Sequence, residues 1–488
     1  MKASKISLYI FIVIGLLALV CVFFPSDGIL LRFPSLTDVM RGDTTAIASS
    51  GDEGKLSPDE LLDKRISDAR LEEESQFIDY FKNDAARFFM PGDDVKYLDE
   101  FFAALDAAGA TPVRVTHYGD SQIEIDRISC ILRERLQEKF GGGGVGYIPL
   151  RKLGTYTYKV EVSPDLTIHY AFGGKQRSDD KYGMAASSAE LGGGSVRIHA
   201  QTTPDTNYVH SHEFTRVTLM AGNNSAPITV SCGEQTKTIA PTGTVGRASF
   251  TIPAGKEVDI TVSGAGSLYG ALLDGAKGVS VDNIPMRGCS GTVFNKINAD
   301  NLREHYTSMN VGLIIMQYGG NTMPYIKEGQ SLDNYVASLG RQIAYLHQIA
   351  PKAKILFIGP SDMSTRIQGT MQSYPVLPKV VEGIKKVANE NGAAFWDMYG
   401  VMGGHNSMVK WVQSGLAGSD HVHFTKKGAE RVGDVLCKSM MLYYDYYKWR
   451  TSPVDKEKYL KSSAPADSAA AKTDKGLSIN STFKKMSK

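Results

Sequence analysis

Four short strand-like runs, each followed by a stretch of helical periodicity, constrain this chain more than any other feature. They are Pro112 to His117, Val311 to Gln317, Lys354 to Gly359 and Ala393 to Asp397. The second and third are apolar along nearly their whole length, as strands buried on both faces are. Helical patterns follow at about Ile125 to Phe140, Leu332 to Ile349, Val380 to Asn391 and Lys427 to Tyr446. Strand then helix, repeated, predicts an α/β domain with a parallel sheet covered on both faces. Sites in such sheets lie beyond the C-terminal strand ends.

The alternation is interrupted. From about Leu150 to Val279 the sequence is rich in turns and short strand-like segments, such as Thr157 to Val162 and Val258 to Val262. Regular short strands without helical pattern predict a β-sandwich, jelly-roll-like, inserted into the α/β domain. The expected order is a membrane anchor or signal segment over 1–28, a linker over 29–56 and a first α/β part over 57–149. The inserted β domain takes 150–280, the second α/β part 281–450, and a disordered tail 451–488. Ser57-Pro58-Asp59-Glu60 reads as a helix start, with Ser as cap and Pro as first helical residue. The run Gly141 to Gly144 lacks the Gly-Lys-Ser/Thr ending of a phosphate loop and is not read as a nucleotide site.

At the N-terminus, Lys2 and Lys5 precede an almost unbroken apolar run from Ile6 to Phe24. That length spans a bilayer as a helix. No small-x-small cleavage site follows, so an uncleaved transmembrane helix is expected. Lysines on its short side predict a cytoplasmic N-terminus, with the catalytic part extracytoplasmic, in the periplasm. A formal net charge of +2 gives no basic stripe, and no nucleic-acid partner is expected. Cys21, Cys130, Cys232, Cys289 and Cys437 show no metal-ligand spacing; setting aside Cys21 in the apolar run, the other four read as buried free thiols, with a disulfide as the alternative. No metal or organic cofactor is expected.

Two places carry chemistry. His117-Tyr118-Gly119-Asp120-Ser121-Gln122 ends the first strand, and Asp420-His421-Val422-His423 follows about three hundred residues later. A serine hydroxyl is a poor nucleophile until a base takes its proton. His423 can be that base, and Asp420 can fix its tautomer and stabilise the imidazolium. An oxyanion needs donors, and the glycine-lined loop Gly288-Cys289-Ser290-Gly291 and the turn Gly319-Gly320-Asn321 offer them. His117, Gln122 and His405 are candidates to line the substrate, and Trp411 to border the site. Asp120 is expected to brace its turn; Asp397 and His421 are expected to be structural.

These four places, in this order, resemble the SGNH/GDSL hydrolase family. Gly119-Asp120-Ser121 matches the first block, Arg287 to Gly291 looks like the second, Gly319 to Asn321 resembles the third, and Asp420 to His423 matches the last. The resemblance implies a three-layer α/β/α, flavodoxin-like domain. It implies catalytic Ser121, Asp420 and His423, and an oxyanion hole from the N–H groups of Ser121 and Gly291 and the Asn321 side chain. Gln122 stands where the family commonly has Leu or Phe, and Thr322 where it often has Asp. The β insert between the first and second blocks is similar to that of bacterial peptidoglycan O-acetylesterases, where it resembles a carbohydrate-binding module. That implies a serine esterase removing O-acetyl groups from a cell-wall or exported polysaccharide, peptidoglycan favoured, while residues 6–24 hold it to a membrane. Alternatives are a membrane-tethered glycan O-acetyltransferase using the same residues, a glycan-binding protein with a decayed site, and a lipase or thioesterase.

Overall fold

The computed structural model describes residues 57–205 and 207–461. These form two compact units. The smaller takes residues up to Glu73 and from Val454 onward. There the helix Pro58–Asn83 begins with a reciprocal cap: the Glu60 N–H donates to Ser57 Oγ at 3.3 Å, and the Ser57 N–H to Glu60 Oε2 at 2.7 Å. Lys456 pairs with Asp63 at 2.9 Å and Lys458 with Glu73 at 2.7 Å. Lys456–Lys461 is helical, within the segment that the sequence suggests is disordered.

The larger unit, Glu74–Pro453, holds a six-stranded sheet. Its order is Phe88–Phe89, Ala394–Trp396, Lys354–Ile358, Val311–Gln317, Val113–Gly119 and Val279–Pro285. Ile314, Met316, Ile355 and Phe357 share a core with the helices Gln330–Ile349 and Leu377–Glu390. Strand alternation sends Leu313, Ile315, Leu356 and Ile358 to the opposite face, where they are equally buried.

The expected fold class needs correcting in two respects. The sheet is mixed, not parallel: Phe88–Phe89 adds an antiparallel edge to Ala394–Trp396, too short to show a period in sequence. The β region is not a separate two-sheet sandwich but one antiparallel sheet of ten strands, larger than the first. Its strand Glu257–Asp274 is 18 residues long. The first half pairs with Ile228–Cys232, the second with Phe214–Asn224 and Gly146–Ile148. One strand therefore joins what short windows read as two sheets. Register shifts at Ser263/Ala265 and Leu268/Gly270 let it bend without ending. Gly270 at φ +134° permits this, because a Cβ there would lie 2.2 Å from the Tyr147 ring. The transmembrane helix expected near the N-terminus is a separate matter. Residues 6–24 lie outside the described residues, and no described helix is long and apolar enough to cross a membrane.

A buried cation ties the two sheets. Arg114, in the strand Val113–Gly119, donates to Asp282 in the neighbouring edge strand and to Asp274 at the end of the 18-residue strand, both at 2.5 Å. Asp282 also accepts the Tyr147 N–H at 2.9 Å. Burial pushes the Asp282 carboxyl up, and Arg114 opposes that.

Two histidines make folding sensitive to acid. Burial holds His117 down to about 4 and His305 down to about 3. In the unfolded chain each titrates near about 6.5. Below that pH the unfolded state binds more protons, so this contribution is present above about 6.5 and lost as pH falls towards the folded values. His305 packs edge-on to Tyr269, with ring centroids 5.4 Å apart. His305→Phe keeps that contact and cannot be protonated. On going from about pH 7 to about pH 5, urea unfolding of the variant should show a loss smaller than wild type's by about 2 kcal/mol.

Candidate active site

Strand register brings three loops together. Gly119 lies opposite Pro285 on one side and Gln317 on the other, so three adjacent strands end level. Their loops begin at Asp120, Met286 and Tyr318, and the Met286 N–H donates to Gly119 O at 2.7 Å. The fourth loop, Asp420 to Phe424, precedes the helix Lys426–Thr451, whose cap Thr425 accepts from the Gly428 N–H.

Ser121 Oγ is 2.8 Å from His423 Nε2. His423 Nδ1 is 2.7 Å from Asp420 Oδ2. With Nδ1–H donating to the carboxylate, Nε2 is left to accept from the serine hydroxyl. The other Asp420 oxygen accepts the N–H groups of Val422 and His423, each at 3.0 Å. Partial burial pushes the Asp420 carboxyl up, but its bonds to His423 and these N–H groups outweigh that and hold it below the usual range. It stays anionic wherever the imidazole works.

Gln122 fixes the histidine loop. It donates to Val422 O at 2.5 Å and to Ser361 Oγ at 3.2 Å, and accepts the Phe424 N–H at 3.3 Å. Gln122 also borders the cleft. Asp120 accepts the Gln122 N–H and an Asn321 amide hydrogen, both at 2.9 Å. Burial pushes the Asp120 carboxyl up to about 6, against those hydrogen bonds and His423. Asn321 also donates to Cys289 O at 3.1 Å, so it links all three strand-end loops.

Gly291 sits at φ +84°, and a Cβ there would lie 2.8 Å from the Tyr318 ring. Its N–H donates to Cys289 Sγ at 3.4 Å. Gly291→Ala therefore forces both strain and a clash. We expect a stability loss of about 1–3 kcal/mol and turnover of an aryl acetate lowered about tenfold or more, checked by thermal unfolding and kcat.

The rest of the nucleophile loop is strained. Ile125 and Asp126 take φ of 55° and 64°, uncommon for such residues. A buried ion pair holds them: Asp126 accepts Arg133 Nη1 at 2.6 Å and Nη2 at 3.1 Å, and also the Thr157 hydroxyl. Arg133 Nε reaches Val281 O at 2.8 Å.

The structure separates other candidates from the cleft. His117 is sealed in the interior between Gln317 Oε1 at 3.0 Å and Ser129 Oγ at 2.9 Å, and lines no cleft. His405 is exposed before the helix Ser407–Gln413 and does not border the cleft. Trp411 is buried against Phe424. Asp397 caps its helix through the Gly400 N–H at 2.9 Å. Among the described residues no group of His, Cys, Asp and Glu is arranged to hold a metal ion, and the four described cysteines are buried free thiols. The cleft beside Ser121 is about 170 Å³, bordered by Asn321, Tyr325, Met363 and Met398 among others. Tyr325 is 81% exposed, and sequence reasoning missed it; its only signal is an aromatic side chain just after Asn321.

Fold and site together define an acylhydrolase, and comparison with known proteins agrees. Residues 249–431 match the GDSL-like lipase/acylhydrolase family, so the chain carries a GDSL-like hydrolase domain. It is a hydrolase of that type, as its motifs suggest. The matched stretch contains Gly291, Asn321, Asp420 and His423; Ser121 precedes it, across the β region. No curated protein matches the chain. Among solved structures, one of a peptidoglycan O-acetylesterase is 20% identical, covering 72% of this chain and 96% of that one, with a TM-score of 0.58; it shares the fold. A family two carbohydrate esterase from Cellvibrio japonicus is 12% identical over 59% of this chain and 99% of its own, with a TM-score of 0.24. An acetylxylan esterase from Geobacillus stearothermophilus is 18% identical over 34% and 73%, with a TM-score of 0.26. These last two superpose too loosely to carry an argument.

Proposed function

We propose that this protein is a serine esterase that removes O-acetyl groups from a polysaccharide, peptidoglycan before others. The observation that carries the reading is the unbroken hydrogen-bond chain Ser121–His423–Asp420 opening on a cleft of about 170 Å³. Ligand pockets for drug-sized molecules start near about 300 Å³, so this space suits a short acyl group and not a fatty chain. The likeness in fold to a peptidoglycan O-acetylesterase supports the choice of polymer. The enzyme would meet such a polymer outside the cytoplasm.

In this mechanism Ser121 Oγ attacks the ester carbonyl as its proton passes to His423 Nε2, and Asp420 stabilises the imidazolium. The oxyanion is received by the N–H groups of Ser121 and Gly291 and by the Asn321 amide. Asn321 must then share a hydrogen now given to Cys289 O or Asp120. Collapse expels the sugar oxygen, which takes the proton from His423. Water, deprotonated by His423, attacks the acetyl-serine and releases acetate. If a sugar hydroxyl replaced water, the same residues would perform transfer. The intact hydrogen-bond chain speaks against a decayed binding site.

The test is acetate release from O-acetylated peptidoglycan and from acetylated xylan, with Ser121→Ala as control. Release from peptidoglycan that disappears in the variant is the expected result. No release from any acetylated polymer, with acetyl moved to a glycan acceptor instead, would replace the esterase reading with the transferase one.

A further inference from the structure

A second and larger cavity, about 550 Å³, lies on the other side of the nucleophile loop. Ser121 and Gln122 border the catalytic cleft, whereas Glu124 and Ile125 border this cavity. Pro285, Met286 and Arg287, leading into the Gly291 loop, also line it. Its remaining walls come from Asn283 and Ile284 of the six-stranded sheet and from the antiparallel sheet and the segments beside it. Its size is that of a ligand site, and the catalytic steps above do not use it.

The lining points to the chemistry of an occupant. Leu150, Leu153, Ile168, Phe172 and Leu268 make much of the wall apolar. Phe172 is 38% exposed, and it and Tyr325 are the aromatic members of the exposed large apolar side chains among the described residues. Each borders one of the two cavities. Three polar groups in the lining have capacity to spare: Ser188, Arg151 and Tyr269, whose buried hydroxyl has no hydrogen-bond partner among the described residues. Ser188 is buried, and its hydroxyl has no hydrogen-bond partner among the described residues. Arg151 is exposed and has no carboxylate partner among the described residues, whereas Arg287 is paired with Glu124 at 2.6 Å. A cation beside an apolar wall suits an anion on an aliphatic stem, and guanidinium suits a carboxylate in particular.

We infer that this cavity is a subsite for a carboxylate-bearing aliphatic side group of the substrate, such as a short peptide on the glycan next to the acetylated position. Arg151 receives the carboxylate and Ser188 a neighbouring polar group. The inference rests on the esterase reading for its place in catalysis, but the site stands on the cavity and its lining.

The experiment compares Arg151→Gln and Arg151→Lys with wild type on three substrates: an O-acetylated glycan fragment with its peptide side group, the same fragment without it, and an aryl acetate. For Arg151→Gln, kcat/KM should fall about tenfold on the peptide-bearing fragment, as loss of a charged hydrogen bond does, and change less than about twofold on the others. Arg151→Lys should recover part of the loss. No selective loss, or equal loss on all three, overturns the subsite. If wild type hydrolyses none of the three, the esterase reading fails separately. Calorimetric binding then decides the subsite: the peptide-bearing fragment should bind about tenfold more weakly to Arg151→Gln, and an unchanged Kd or no binding to wild type overturns it.

Discussion

Replacing Arg114 by methionine should destabilise the protein by about 3–5 kcal/mol, because it leaves two buried carboxylates without their cation. Arg114 is 4% exposed, and Asp274 and Asp282 are 2% and 0% exposed. The deficit should also depend on pH in a definite sense. Without Arg114 the folded-state value of the Asp282 carboxyl, already raised by burial, rises further, so the folded variant takes up a proton as pH falls. The variant's disadvantage is therefore greatest near neutrality and shrinks towards about pH 4, near the ordinary aspartate value. Asp274→Asn with Asp282→Asn, added to Arg114→Met, should recover part of the loss at neutral pH. Urea unfolding at several pH values checks all three statements. A deficit below about 1 kcal/mol would mean that this cluster does not tie the sheets as described.

Replacing His423 by alanine should leave the fold intact and lower kcat on an acetyl ester by about 10⁴ or more. Its side chain is 36% exposed and packs at a loop, so stability should change little. The loss belongs in kcat and not in KM, because the imidazole acts on a proton in flight and not on bound substrate. Asp420→Asn should cost about 10²–10⁴, since Nδ1 would lose its acceptor and the productive tautomer its preference. Steady-state kinetics with an aryl acetate separates these cases. A His423→Ala enzyme with kcat within about tenfold of wild type would move the base elsewhere.

The parts of this site that sequence shows are the local ones. Gly119-Asp120-Ser121 and Gly319-Gly320-Asn321 each end an apolar strand, and that context makes short motifs informative. Asp420 and His423 lie three residues apart and meet within one loop. What sequence does not show is set by distant partners. His117 looks like a neighbour of the nucleophile until Gln317 and Ser129 close over it. Gln122 reads as a substrate contact, yet its amide is committed to Val422 and Phe424, about three hundred residues away. The ion pair Asp126–Arg133 holds the nucleophile loop from a helix that shows only its apolar face in sequence. The single sheet of the β region is not legible in sequence because Gly264 and Gly270 break the alternating pattern, whereas the strand bends through both.

The central claim is that Ser121 carries the acyl group between the two half-reactions. It is tested most directly by mixing the protein with an aryl acetate, quenching in acid within one turnover, and locating the acetyl by peptide mass spectrometry. The account predicts one acetyl group on the peptide containing Ser121, accumulating early, lost with time, and missing in Ser121→Ala. Acetate release that continues in Ser121→Ala, or an acetyl group found on another residue while turnover persists, would contradict it.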